Sequence, residues 1–283
     1  MKIGIGLPNT TPGAEGDTLI EWARRADQLG FSSLATIGRI AYPGFEELIT
    51  LAAAAAVTNR VGLLTNILLG PTRNPVLLAK EAASIDRISG GRLTLGLGVG
   101  FREDDYQAVE ESFHDRGRRM DQMIETMRAV WSGEAELSDR PVGPRPTRTT
   151  GIPILIGGTS ERALQRTIRY GDGWTAGGSS PDQVGPFADR VRAAWKDAGR
   201  QGEPRIVALS YFALGDEAES RARASLTDYY GEFGNQMVQF IPKSPDALRE
   251  TVKRFEEVGV DELVLDPTIP DPDQVNGVAE AVL

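Results

Sequence analysis

The sequence predicts a (β/α)8 TIM barrel, of class α/β, with insertions before the fifth strand and after the seventh strand. Three observations carry this. Eight short apolar runs recur along 283 residues, each followed by Gly, Pro, Asn or Thr and then by a helical pattern, which marks β/α units on a parallel sheet. The runs are apolar nearly throughout, as strands buried on both faces must be. No long linker divides the chain, so residues 1–283 read as one barrel domain.

The elements follow in order. The first strand, 2–7, leads to a helix over 17–29, where Leu19, Ile20, Trp22, Ala23, Ala26 and Leu29 recur at helical spacing and Gly30 ends the run. The second strand, 33–37, precedes a helix over 45–58. The third, 61–68, precedes one over 75–88, which opens on Pro75 where a proline costs no hydrogen bond. The fourth, 93–99, leads to a helix over 116–131 and the fifth, 152–156, to one over 160–170. The sixth, 173–176, leads to a helix over 181–198 that opens on Pro181 and stops at Gly199. The seventh, 206–214, is followed by helices over 216–230 and 244–258, and the eighth, 262–265, by a short helix from Asp271. The insertions are 133–150, with Pro141, Pro144 and Pro146, and 231–243; connections of this length serve as lids or structural wraps, so either can cover a ligand. A doubly wound sheet would need a G-x-G-x-x-G turn after its first strand, but Gly4 and Gly6 lie inside that strand.

Composition narrows the chemistry. A formal charge of -9, from 31 basic and 40 acidic side chains, repels phosphate backbones and anionic lipid, so no nucleic-acid or membrane partner is expected. With no cysteine, thiolate nucleophiles and thiolate-bound metals are excluded. The single histidine, His114, excludes a two-histidine metal centre, and no metal site is expected. It precedes a helix rather than following a strand, and reads as a surface or structural residue. The apolar run 48–57 is about half a membrane span, and the N-terminus lacks a long apolar signal core, so a cytoplasmic location is expected.

In a barrel the active site lies at the carboxyl ends of the strands. The residues there include Asn9, Thr10, Arg39, Asn66, Thr72, Gly98, Gly100, Arg102, the turn 157–160, the stretch 177–179 and Asp266, and no lysine. A Schiff-base mechanism is therefore not expected. Gly157, Gly158, Thr159 and Ser160 form a turn between a buried strand and a helix N-terminus, which suits a phosphate, although an ordinary capped turn has the same sequence. Gly98 and Gly100 weaken a strand exit unless something approaches its backbone closely, either a flat ligand or a packed neighbour. Asn66 is a polar side chain at the end of an apolar run and needs a hydrogen-bond partner. Trp174, at the sixth strand, is a candidate pocket wall, with Tyr42 and Tyr211 behind it.

These motifs resemble the bacterial luciferase-like family, flavin- or F420-dependent oxidoreductases built on this barrel. The matching segments are 53–63 (AAAAVTNRVGL), 70–80 (GPTRNPVLLAK), 86–100 (DRISGGRLTLGLGVG), 153–158 (PILIGG) and 171–174 (GDGW), in family order. The resemblance implies a flavin or deazaflavin across the barrel mouth, with its phosphate at Gly157, Gly158, Thr159 and Ser160 and its ring bordered by Gly98 and Gly100. It also implies a cis non-proline peptide at the third strand end, placed at Asn66-Ile67. The second strand departs from the pattern: where relatives carry an acid and a histidine, this chain has Ile37-Gly38-Arg39.

That departure favours FMN over F420. The leading expectation is a two-component monooxygenase in which reduced FMN, supplied by a separate flavin reductase, activates O2 for oxidation of a small organic substrate. The alternatives are F420-dependent hydride transfer and a non-catalytic flavin-binding protein. No catalytic residue is assigned; Arg39 and Asn66 are the nearest candidates, Arg39 as a contact to an anionic group. By resemblance the chain forms a homodimer.

Overall fold

The computed structural model describes residues 1–135 and 139–283. Eight parallel strands close into a barrel in sequence order: β1 (Lys2–Gly6), β2 (Ser33–Thr36), β3 (Gly62–Leu69), β4 (Leu93–Gly98), β5 (Ile154–Gly157), β6 (Gly173–Gly178), β7 (Arg205–Phe212) and β8 (Glu262–Pro267). Closure comes from β8 pairing with β1, with Lys2 opposite Glu262 and Ile5 opposite Leu265. The helices between them are α1 (Gly16–Leu29), α2 (Glu47–Val57), α3 (Pro75–Ser89), α4 (Glu103–Gln107), α5 (Arg116–Ser132), α6 (Glu161–Tyr170), α7 (Pro181–Asp197), α8 (Ala218–Tyr230), α9 (Glu232–Met237), α10 (Pro245–Glu257) and α11 (Asp273–Val282).

Side chains alternate across each strand, so the barrel has two cores. Ala35, Leu64, Leu155, Val207 and Val264 point inward and form a closed apolar layer at mid-height. Outward residues such as Leu34, Leu63, Leu95 and Leu263 join the much larger core under the helices. The expected strands and long helices all appear, most shifted by a residue or two at their ends. The short α4 and α9 were not expected, because both are too brief to show a helical repeat.

The two insertions do different things. The segment 133–150, of which residues 136–138 lie outside the described residues, runs along α3 away from the mouth. Lys80 Nζ donates to Gly143 O at 2.9 Å, Thr147 N donates to Asp86 Oδ2 at 2.7 Å, and Arg148 reaches Gly91 O at 3.3 Å. Its described part is a wrap. The segment 231–243 contains α9, packs on α8 and borders the mouth, where Lys243 is paired with Glu219 at 2.8 Å.

Candidate functional site at the barrel mouth

The carboxyl end of β3 builds the floor of the mouth. Its ladder with β4 slips between Thr65 and Leu68, and the Asn66-Ile67 peptide is cis. The slip turns the Ile67 side chain across the neighbouring strands. A Cβ added at Gly98 would lie 2.4 Å from Ile67 Cδ1, and one at Gly157 would lie 3.0 Å from Ile67 Cγ2. These two glycines therefore clear space for Ile67, and Gly100, with φ +65, does the same for Leu69. The close neighbour of Gly98 and Gly100 is packed protein, and Ile67, half-buried, is the surface that a flat molecule would meet.

Asn66 is 5% exposed and accepts a hydrogen bond on Oδ1 from Thr175 Oγ1 at 2.6 Å across the barrel, while its Nδ2 has no partner among the described residues. An amide donor left unpaired in a buried site is expensive, and points to a group that completes it. Trp174 is placed differently from expectation. Because Thr175 points inward, Trp174 points outward: it is fully buried, stacks on Phe187 of α7 at 4.8 Å and donates from Nε1 to Gly158 O at 2.8 Å. Its link to the mouth is indirect, through the turn it anchors.

That turn, Gly157 to Ser160, is open to solvent apart from Gly157, with Gly158 at φ +101. Ser160 caps α6 by accepting from Ala163 N at 3.2 Å. Glu161, the acid in the first turn, is held by Arg190 at 2.7 Å, which offsets its repulsion of an incoming anion.

Arg39 is not a free cation. Its side chain is 6% exposed, with Nε 2.9 Å from Asp105 Oδ2 and Nη2 donating to Ala41 O at 3.1 Å, and it lies between the rings of Tyr42 and Tyr229. Asp105 also accepts from the backbone N–H groups of Ile40 and Ala41, each at 2.8 Å. The acidic run 103–105 reads as solvated surface in sequence, which hides this buried clamp. Glu47 is similarly disguised by Glu46. It is 1% exposed, paired with Arg73 Nη2 at 2.8 Å, and burial pushes its carboxyl up to about 7 against the pull of Arg73.

On the opposite side, Asp266 at the end of β8 faces into the barrel over Gly6, where even a Cβ would lie 1.9 Å from Oδ1. It is 3% exposed, Oδ1 has no partner among the described residues, and desolvation drives its carboxyl well above the usual range. Beside it the Tyr211 and Tyr230 hydroxyls meet at 2.7 Å, and burial raises both phenols, that of Tyr230 to about 12.

The end of α8 closes this side. Tyr42 bonds Asp228, Tyr229 meets Tyr230 edge to face with centroids 4.6 Å apart, and Arg102 lies 4.8 Å from the Tyr229 ring and donates from Nη2 to Tyr229 O. A cavity of about 610 Å³ opens here, lined by Phe101, Arg102, Tyr229, Tyr230, Phe233 and Met237 among others. A second, of about 540 Å³, shares Phe233 and Met237 and reaches Tyr211 and Phe240. Phe101, Phe233 and Phe240, 57–82% exposed, give the rim an apolar character. His114 is exposed, on the loop before α5.

Residues 1–257 match the family described as luciferase-like monooxygenase. The chain belongs to the luciferase-like monooxygenase family. The family places the chain among oxidoreductases. An uncharacterised protein of Mycobacterium tuberculosis is 32% identical over 227 residues, covering 69% of this chain and 78% of that one. An FMNH2-dependent dimethylsulfone monooxygenase of Pseudomonas putida is 27% identical over 187 residues, 62% of this chain and 50% of that one. Among solved structures, the monooxygenase RslO1 of Streptomyces bottropensis superposes with a TM-score of 0.79 at 25% identity, over 99% of this chain and 96% of that one. An F420-dependent secondary alcohol dehydrogenase shares the fold, with a TM-score of 0.81 at 16% identity over 99% and 98%. Among the described residues no helix is long and apolar enough to cross a membrane.

Proposed function

We propose that this luciferase-like protein is a monooxygenase that takes reduced FMN from a separate flavin reductase and oxidises a small organic molecule with O2. The observation that carries the reading is the pairing of the Ile67 platform with the unpartnered Asn66 Nδ2: an apolar surface beside a buried donor fits a flat heteroaromatic ring with acceptors on its edge. The FMNH2-dependent relative supports FMN, and Arg39, clamped by Asp105, is itself no acid or base for hydride transfer.

Bound FMN supplies the activation of oxygen. The chain's own residues position and enclose it. Ile67 and Asn66 Nδ2 would hold its ring, and the Gly157–Ser160 turn at the α6 N-terminus, with Glu161 neutralised by Arg190, would hold its phosphate. Tyr229, Tyr230 and the aromatic rim keep water out. The exposed apolar side chains Phe45, Ile49 and Leu77, around the starts of α2 and α3, support a homodimer.

The test is a fluorescence titration of FMN and F420 in direct competition, followed by O2 uptake with reduced FMN across a substrate panel. Tighter binding of FMN and substrate-dependent O2 uptake are expected. Tighter binding of F420, or FMN binding with no substrate-dependent uptake by any compound, overturns the reading.

A further inference from the structure

Strands β3 and β6 stand apart around the closed ring, with β4 and β5 between them, and a hydrogen bond crosses the interior from one to the other: Thr175 Oγ1 donates to Asn66 Oδ1 at 2.6 Å. Both side chains are buried, Thr175 completely. Alternation along the strands sets their height. Leu64, two residues before Asn66 on β3, and Val207, the partner of Thr175 in the ladder between β6 and β7, belong to the closed apolar layer at mid-height. The bond therefore spans the barrel at the upper edge of that layer, where the mouth begins.

This bond decides which end of the amide is left over. A primary amide carries a carbonyl acceptor at one end and two N–H donors at the other, and an untethered one turns either end to a ligand. A threonine hydroxyl donates or accepts according to its neighbours. Among the described residues Thr175 Oγ1 has no other hydrogen-bond partner, so accepting from Asn66 Nδ2 would strand its own proton and Asn66 Oδ1 together in a buried site. Donation is the cheaper arrangement, and it leaves Nδ2 as the amide atom without a partner. The neighbouring hydroxyl of Thr65 donates to Gly96 O at 2.9 Å and cannot take the place of Thr175.

We propose that Thr175 is a positioning residue of the cofactor site: by holding Asn66 Oδ1 it locks the amide so that Nδ2 is the end offered to the ligand, and the site presents a fixed donor to a ligand edge that accepts. This rests on the proposed function, in which that ligand is the flavin ring. A flavin edge bears carbonyl oxygens as well as N–H groups, so an untethered amide has several ways to meet it and a locked one only those that end on an acceptor. Thr175 then contributes to affinity by pre-organisation, without touching the ligand.

The test is an anaerobic titration of reduced FMN into wild type, Thr175→Val, Thr175→Ser, Asn66→Ala and the Asn66→Ala/Thr175→Val double variant. Thr175→Val, which keeps the shape and loses the hydroxyl, should weaken FMN about 5-fold, and Thr175→Ser, which keeps the hydroxyl, should stay within about 2-fold of wild type. In the Asn66→Ala background Thr175→Val should add nothing, because the group it orients is gone. Wild-type affinity in Thr175→Val, a serine variant as weak as the valine one, or the same loss in both backgrounds overturns the inference. If the valine variant does not fold, Thr175→Ala replaces it in the same comparisons. Failure of wild type to bind FMN overturns the functional reading instead. The lock is then judged without ligand, by NMR of protein labelled with 15N in its asparagine side chains. The Asn66 N–H2 signals, identified by their loss in Asn66→Ala, should hold their positions in Thr175→Ser and move or broaden in Thr175→Val; signals unmoved in Thr175→Val overturn the inference.

Discussion

Glu262 and Asp266 enter the barrel from the two ends of β8, each beside a glycine of β1 that leaves room for it, Gly4 for Glu262 and Gly6 for Asp266. Glu262 is saturated: Ser32 and Ser33 donate to Oε1 at 2.6 Å, Arg205 pairs with Oε2, and these partners hold its carboxyl below the ordinary range despite burial. Asp266 has none of this, and burial alone sets its direction. The same strand pair thus closes the barrel at one end with a satisfied ion pair and leaves an unsatisfied acid at the other. The entrance of β8 thus holds a satisfied carboxylate and its exit an unsatisfied one.

The largest expected effect separates the two in stability. Glu262→Gln should cost about 2–3 kcal/mol, less than a fully buried pair because Arg205 is 35% exposed, whereas Asp266→Asn should stay within about 1 kcal/mol of wild type. Urea unfolding measures both, and equal losses would erase the distinction between the two ends. The pH dependences should then differ in sign. The lowered carboxyl of Glu262 contributes stability above the unfolded carboxylate range, lost as pH falls through its folded value; the raised carboxyl of Asp266 makes stability decline as pH rises from that range toward its folded value. Asp266→Asn should therefore flatten the neutral side of the stability profile, and Glu262→Gln the acid side. Thermal melts across pH would show this, and an unchanged neutral side in Asp266→Asn would contradict it.

Two smaller effects probe the flavin half of the mouth. Gly98→Ala places a methyl 2.4 Å from Ile67 Cδ1, so the platform must move; FMN affinity should fall about 10-fold, with a stability loss of about 1 kcal/mol. Arg190→Ala frees the charge of Glu161 beside the phosphate turn and should weaken FMN about 2- to 5-fold, an effect that fades at high salt. Isothermal titration at two ionic strengths distinguishes the two variants, since only the second should respond to salt.

The barrel was legible in the sequence because apolar runs and helical spacing are local signals. The Ser160 cap and the Asn66-Ile67 position were legible too, the first from local pattern and the second from family resemblance. What stayed hidden depends on partners far along the chain. Gly98 reads as a close approach, by a ligand or by a packed neighbour, until Ile67, from the neighbouring strand, is seen above it. Trp174 reads as a pocket wall until the inward turn of Thr175 fixes the alternation of β6. Asp105 and Glu47 sit in acidic runs that look solvated, and only the fold brings Arg39 and Arg73 to them. Asp266 was visible as a strand-exit acid, but its isolation depends on everything packed around it.

The central claim is that FMN binds on the Ile67 platform beside Asn66. An anaerobic titration with reduced FMN, comparing wild type with Asn66→Ala and Gly98→Ala proteins of native circular dichroism, tests it most directly. Saturable binding by wild type, weakened about 10-fold in each variant, is the predicted result; no binding by wild type, or equal binding by all three, would contradict it.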